Sequence, residues 1–400
     1  MWNAIKSQPR RRRYRRAIRA NSFLGWNSEL KSRKITAAVI EKTGAPFVLQ
    51  ELELDGPRAD EILVRIVAVG ICQTDVHVRD RVQAPGPPMV LGHEGSGVVE
   101  EVGAAVTAVK PGDRVVLSYD ACGQCKFCLS GRYTYCEHAM AINFGGSRLD
   151  GTNALHRAGG EVHGHFFGQS SFATYALATE RNVVKVPADL PLELLGPLGC
   201  GLQTGAGAVL NSLRVPANAS IAILGTGAVG LAAVMAARAA GANPIIGVDL
   251  VPKRLALATE LGATHTIDAR KEDIRKCIGE ITKGAGVDFV LEITAQPQML
   301  KLAVELLAQC GTAGLIGGGV PGAEAPISMS RLLLGRAVRG IVQGDSIPRI
   351  FIPKLIEMYG RSQFPFDRLV RFYDFAQINQ AVADAATGET IKPILRISTP

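Results

Sequence analysis

The 400-residue chain is 47% hydrophobic and rich in glycine, long enough for two domains with cores of their own, and its many small aliphatics and few aromatics point to an α/β protein rather than a coiled coil or an unfolded chain. No window approaches the roughly 20 uninterrupted apolar residues of a membrane-spanning helix. The net charge of +8 invites a nucleic-acid reading, but residues 1–34 hold eight arginines and three lysines against Glu29, a net +10, which leaves −2 for the rest and removes that reading from the body of the chain.

The basic run from Arg10 to Arg16 repels itself and has no apolar face, which predicts a solvated, disordered tail over residues 1–34. An organelle-import segment and an over-long start are the alternatives; a secretory signal lacks its apolar stretch. From residue 35 to about 186, short β-type runs such as 61–69 and 97–102 are broken by glycines and predict a compact, irregular β-rich domain. Beyond residue 190 the pattern changes. Residues 221–224, 245–248, 287–293 and 314–316 read as strands, with helical periodicity at 229–240, 253–261 and 299–307. Such alternation predicts a parallel sheet wrapped by helices. From Gln343 mixed short elements return, and the closing run 392–397 completes the first domain. The division is therefore residues 1–34, residues 35–201 with 343–400, and residues 202–342.

Gly225-Thr-Gly-Ala-Val-Gly230 follows the strand at 221–224 and opens a helix. Gly225 permits the tight turn, Gly227 lets a pyrophosphate approach the backbone, and Gly230 lets helix and strand pack closely, with the helix N-terminus facing the phosphates. Nineteen residues beyond Gly230, at the end of the next strand, Asp249 can accept from the ribose hydroxyls and repel a 2′-phosphate. The expected cofactor is NAD rather than NADP.

Eight cysteines without a secretory signal predict thiols or metal ligands of a reducing, cytoplasmic compartment, not disulfides. Cys122, Cys125, Cys128 and Cys136 put four soft ligands in fifteen residues, the pattern of a closed, structural zinc site. Such a site has no open position, so a catalytic metal must be sought elsewhere. Cys72, His93 and Cys200 each stand beside glycine, but no local spacing joins them. Cys277 and Cys310 read as packing residues of helices, and His138, His156, His163, His165 and His265 as locally bonded or exposed.

The segments Gly92-His-Glu-x2-Gly-x5-Gly103, the four-cysteine run, residues 164–172, Gly199-Cys-Gly-Leu-Gln-Thr-Gly205 and the nucleotide turn together resemble the zinc-containing medium-chain alcohol dehydrogenases. Within that family the chain looks most like the aryl-alcohol (benzyl-alcohol) type, over nearly all of residues 35–400. The resemblance implies an α/β chain with a GroES-like catalytic domain and a Rossmann nucleotide domain, two Zn2+ per subunit, and a homo-oligomer, dimer or tetramer. It makes Cys72, His93 and Cys200 the ligands of the catalytic zinc, with the fourth position open to water or an alcohol oxygen. Glu94 is then the carboxylate behind the metal, Asp75 orients His93, Thr74 takes the alcohol proton, and His77 ends a relay to solvent. Lys392 stands where the family keeps a basic residue for the pyrophosphate, and Arg254 where one lies over the adenosine. Tyr119, Phe166, Phe167 and Ile316 fall at pocket positions, with Ile316 also among the cofactor contacts.

Cysteine at 200 favours alcohols over polyols, and Gln73 replaces an arginine that grips the pyrophosphate in other members. The implied activity is oxidation of a primary alcohol, aromatic or medium-chain, to the aldehyde. Two alternatives stand beside it: glutathione-dependent formaldehyde oxidation, and a non-catalytic binding protein on this scaffold whose basic tail grips nucleic acid.

Overall fold

The computed structural model describes residues 32–81, 85–320 and 322–399. Most of the expected tail thus lies outside the described residues. Its last two residues do not belong to a tail: Arg33 and Lys34 open the strand Arg33–Ile40, and Arg33 is ion-paired with Glu101 at 2.7 Å.

β1 (Glu61–Gly70) is the central strand of the first domain, with nine of its ten residues buried. A run of Ile, Leu, Val and Ala suits a strand covered on both faces better than one with alternating exposure. α1 (Gln73–Asp80) follows after a short turn, and β2 (Gly95–Val102) runs antiparallel to β1. Further along the chain, among other elements, lie α2 (Gly201–Gly207), β3 (Ile221–Leu224), α3 (Ala228–Ala239), β4 (Ile245–Asp249), β5 (His265–Asp268), β6 (Val287–Glu292), β7 (Leu307–Leu315) and β8 (Ala337–Gly340). β9 (Val370–Asp374) and β10 (Lys392–Arg396) close the chain.

The sheet around β1 runs Val183–Lys185, Arg114–Leu117, β2, β1, β10, β9, with Tyr175–Thr179 also paired to β1. The C-terminal strand therefore returns to the first domain, placing Ile394 opposite Gly70. A second, five-stranded sheet carries Arg33–Ile40.

The third sheet is parallel throughout, in the order β5-β4-β3-β6-β7-β8. This is the doubly wound order, in which successive strands are added outward on one side of β3 and then, from β6, on the other, leaving a crevice at the strand ends where the order switches. α3 is alanine-rich and buried along most of its length, which lets it pack close to the sheet. One apolar core takes in Leu195 and Leu202, Leu231 of α3, Leu355 and Ile394, so residues from both parts of the sequence share it.

Two expectations fail here. The stretch after Gln343 is not only short elements, because Pro348–Gly360 is a thirteen-residue helix that tolerates Pro353 inside it. Cys310 is not a helical packing residue either: it is exposed, at a left-handed φ of 62°, within β7.

Candidate catalytic site

β1 ends at Gly70, and Cys72 caps α1 in an extended conformation. Asp75, in the first turn of α1, accepts the Cys72 N–H through Oδ2 at 2.9 Å and the Gly92 N–H through Oδ1 at 3.1 Å. Oδ1 also meets His93 Nδ1 at 2.9 Å. Held there, His93 has a buried Nε2 with no hydrogen-bond partner among the described residues. Phe167 stacks on the imidazole at 4.4 Å and Phe166 meets it edge-on at 5.3 Å. Cys200 caps α2. One donor atom each from Cys72, His93, Glu94 and Cys200 all lie within 4.8 Å of one another.

The electrostatics favour a thiolate at Cys72. A hydrogen bond from Cys200 holds the Cys72 thiol well below its ordinary range, against burial and with help from Lys392. The same bond pushes Cys200 up. Burial disfavours a charged His93, but the Asp75 carboxylate outweighs it and raises the imidazole to about 10. Two sulfurs and an orphaned imidazole nitrogen, enclosed and oriented by a carboxylate, are the N/S donor set and outer support that zinc takes.

Glu94 stands apart from the other three. Lys392 Nζ reaches its two oxygens at 3.0 and 2.8 Å, and the Gly201 N–H donates to Oε1 at 3.0 Å. Lys392 is 2% exposed and spends a further hydrogen on the Ile71 carbonyl, so its immediate partner is Glu94.

The second cluster is closed. The sulfurs of Cys122, Cys125, Cys128 and Cys136 also lie within 4.8 Å of one another. Backbone N–H groups of Cys122, Cys125 and His138 donate to sulfurs of the cluster at 3.3 to 3.4 Å, the local support a thiolate needs.

In the parallel sheet, Gly225 has φ 100°, a conformation that side chains disfavour, and a Cβ at Gly230 would overlap the Gly225 carbonyl oxygen. Among the described residues nothing lies within 4 Å of where a Gly227 Cβ would be, so the approach to the N-terminus of α3 is open, a cradle that fits a pyrophosphate. Asp249 is buried and tied to its turn, accepting from Thr226 N at 2.7 Å and from the Leu250 and Val251 N–H groups. Arg254 lies 3.9 Å from it, and its Nε has no partner among the described residues.

A groove of about 560 Å³ runs past Gly225, Gly227, Asp249 and Arg254 to Lys392 and Cys72. A cavity of about 880 Å³ begins at Cys72 and Cys200 and is walled by Tyr119, Phe144, Phe167 and Ile316. Thr74 and His77 also face it, and burial depresses His77 so that the imidazole is neutral near pH 7. Phe166, expected in the wall, instead packs behind His93. Phe144, Met140 and Gln343 are cavity residues that sequence reading did not single out. Met140 and Phe144 share the short helix Ala139–Phe144 and Gln343 opens the turn Gln343–Asp345, with no motif to flag them.

A doubly wound nucleotide sheet whose groove opens onto an N/S donor set defines a zinc-dependent, dinucleotide-linked dehydrogenase. The "Alcohol dehydrogenase GroES-like domain" profile matches residues 58–188 and the "Zinc-binding dehydrogenase" profile residues 228–359. Geraniol dehydrogenase of Castellaniella defragrans is 45% identical over 363 residues, 90% of this chain and 96% of that protein. An alcohol dehydrogenase zinc-binding domain protein from Burkholderia ambifaria is 54% identical with a TM-score of 0.90, covering 92% of this chain and 100% of the other. Benzyl alcohol dehydrogenase from Acinetobacter calcoaceticus is 48% identical with a TM-score of 0.89 at the same coverage. The chain belongs to the zinc-containing medium-chain alcohol dehydrogenases.

Proposed function

We propose that this enzyme oxidises primary alcohols, aromatic or medium-chain, to aldehydes with NAD as acceptor. The observation that carries the reading is the junction of groove and cavity at Cys72, which brings a nucleotide and an alcohol together beside the Cys72, His93 and Cys200 donors. Zinc bound there supplies Lewis acidity toward the alcohol oxygen, and NAD supplies the hydride acceptor. Asp75 keeps His93 oriented, and the Lys392 pair holds Glu94 in place behind the donors. Thr74, 3.8 Å from the Cys72 sulfur through its Oγ1, takes the alcohol proton, and the neutral His77 passes it outward.

Gly225, Gly227 and Gly230 shape the pyrophosphate cradle, with Arg254 beside the adenosine and Ile316 between cofactor and substrate. The buried Asp249 carboxylate disfavours a 2′-phosphate, which selects NAD. Four sulfurs at Cys122, Cys125, Cys128 and Cys136 hold a second zinc that braces the lobe and does no chemistry. The aromatic and aliphatic wall of the cavity suits an apolar alcohol.

Residues 35–201 with 343–400 form the catalytic domain in this reading, and 202–342 the nucleotide domain. A homo-oligomer is supported by β8, an edge strand exposed along its length, flanked by the exposed Met329, Leu333 and Leu334. Thiols arranged as metal donors fit the cytoplasm, and no described helix is long and apolar enough to cross a membrane. The test is a panel of benzyl, aliphatic and polyol alcohols, and formaldehyde with and without glutathione, assayed for NADH and NADPH. Fastest NADH formation with benzyl alcohol is expected; activity confined to formaldehyde plus glutathione would overturn the substrate assignment.

A further inference from the structure

Gln343, Gly344 and Asp345 have φ of 51°, 63° and 49°, three successive left-handed residues, two of them not glycine. Such strain persists only where the surroundings impose it, and it gathers at functional sites. Here the surroundings are α2, the helix capped by Cys200. A Cβ at Gly344 would come within 2.6 Å of the Gln203 carbonyl oxygen and 2.7 Å of the Gly207 Cα, so the turn is pressed onto that helix. Its far end is anchored to the four-cysteine lobe: the Tyr135 hydroxyl, one residue before Cys136, donates to Asp345 Oδ1 at 2.6 Å, and Arg339 pairs with the same carboxylate at 2.5 Å.

The near end of this strut points at the donor set. Gln343 Nε2 donates to Cys200 Sγ at 3.4 Å. Nε2 faces the sulfur because Oε1 in its place would set an acceptor against a thiolate ligand; Oε1 instead lies 3.4 Å from Gln203 Nε2 and from Thr204 Oγ1. Gln203 is fixed in turn, its Nε2 donating to the Gly199 carbonyl at 2.5 Å and to Ser118 Oγ at 2.8 Å.

We propose that Gln343 is a positioning residue for Cys200, donating its amide N–H to the sulfur, and that Tyr135 braces the turn which holds it there. An N–H donor fixes the direction of the sulfur lone pairs and draws density from them, leaving a bound metal the stronger Lewis acid. The four-cysteine lobe thereby supports the other centre through Tyr135, Asp345 and Gln343. The proposal rests on Cys200 being a ligand of the catalytic zinc.

The test uses the full chain loaded with zinc, together with Gln343→Met, Gln343→Glu, Tyr135→Phe and Cys200→Ser. Methionine keeps the volume of glutamine and cannot donate, and ionised glutamate can only accept, so a packing role survives the methionine change and a hydrogen-bonding role survives neither. Zinc content is measured first, then the rate at which each zinc passes to a chelating dye, then the pH profile of kcat/KM for benzyl alcohol. Two zinc ions per wild-type chain are expected, with the more labile one released about 10- to 100-fold faster from both Gln343 variants. Tyr135→Phe changes the same phase by less, the slow phase stays put, and the pH profile of both Gln343 variants moves to higher pH. Wild-type release rates and an unshifted profile in Gln343→Met and Gln343→Glu would overturn the proposal while leaving the site intact. Retention of both zinc ions by Cys200→Ser would instead remove Cys200 from the ligands, and the proposal with it.

Discussion

Asp75 has no exposed surface, yet its two oxygens serve Cys72, Gly92 and His93, which come from two separate stretches of chain. An amide in its place keeps the size but loses an acceptor and the charge that orients the imidazole. Asp75→Asn is therefore expected to weaken retention of one zinc, or activity, by about 10- to 100-fold while the second zinc stays, read as metal content after dialysis against a chelator. Unchanged content would remove Asp75 from the support of His93. Neither the ligand trio nor this support was legible from spacing. Cys72 caps α1, His93 precedes β2 and Cys200 caps α2, so the fold alone brings them together, and only the resemblance to a family linked them beforehand. The four-cysteine cluster was legible, because fifteen residues of chain confine its geometry. Gln343 was invisible, since its role depends on a turn pressed against a helix 140 residues away in sequence.

The junction between β3 and α3 is the element most exposed to a single methyl group. Gly230→Ala forces a Cβ onto the Gly225 carbonyl, which is expected to cost about 1–3 kcal/mol in urea unfolding and to weaken NADH binding in a fluorescence titration. Intact NADH affinity would mean that the turn has room not apparent in its geometry. A second element, the loop entering residues 166–168, carries His165 at φ 57° with a buried Nε2 that has no partner among the described residues. Burial and then the nearby Arg148 press this imidazole down to about 4, below the ordinary value near 6.5. The unfolded chain binds the extra proton between those two values, so the cost is absent above pH 6.5 and grows as the pH falls toward 4. It amounts to at most about 3 kcal/mol, at 1.36 kcal/mol per pH unit. His165→Asn, which tolerates the left-handed backbone, is expected to flatten that part of the stability profile, and parallel profiles for the two proteins would contradict the assignment. At this scale four of the six parallel strands, β3, β4, β6 and β7, were legible as apolar runs, whereas β5 and β8, short and with few buried residues, were not. The helix Pro348–Gly360 was not, because its prolines read as breaks and its end packs into a core built from distant residues.

Across the molecule, two lobes meet along a continuous apolar core, and the nucleotide groove and alcohol cavity share Cys72 at their junction. Gln73 borders both spaces and brings no charge to the groove. Gln73→Arg is expected to tighten NADH and to slow turnover where product release limits the rate, and unchanged NADH affinity in a titration would count against this. Composition and charge had already set the broad architecture, since a neutral body with strand–helix alternation leaves few alternatives to a nucleotide-binding α/β enzyme. Which alcohol enters was not legible, because Met140, Phe144 and Gln343 become a wall only in the folded chain. The most direct test of zinc-dependent alcohol oxidation is the initial rate of NADH formation from benzyl alcohol, measured on protein holding two zinc ions per chain and on protein stripped of the labile one. Activity that disappears with that ion and returns when it is restored is the expected result; full activity with a single zinc per chain would contradict the account.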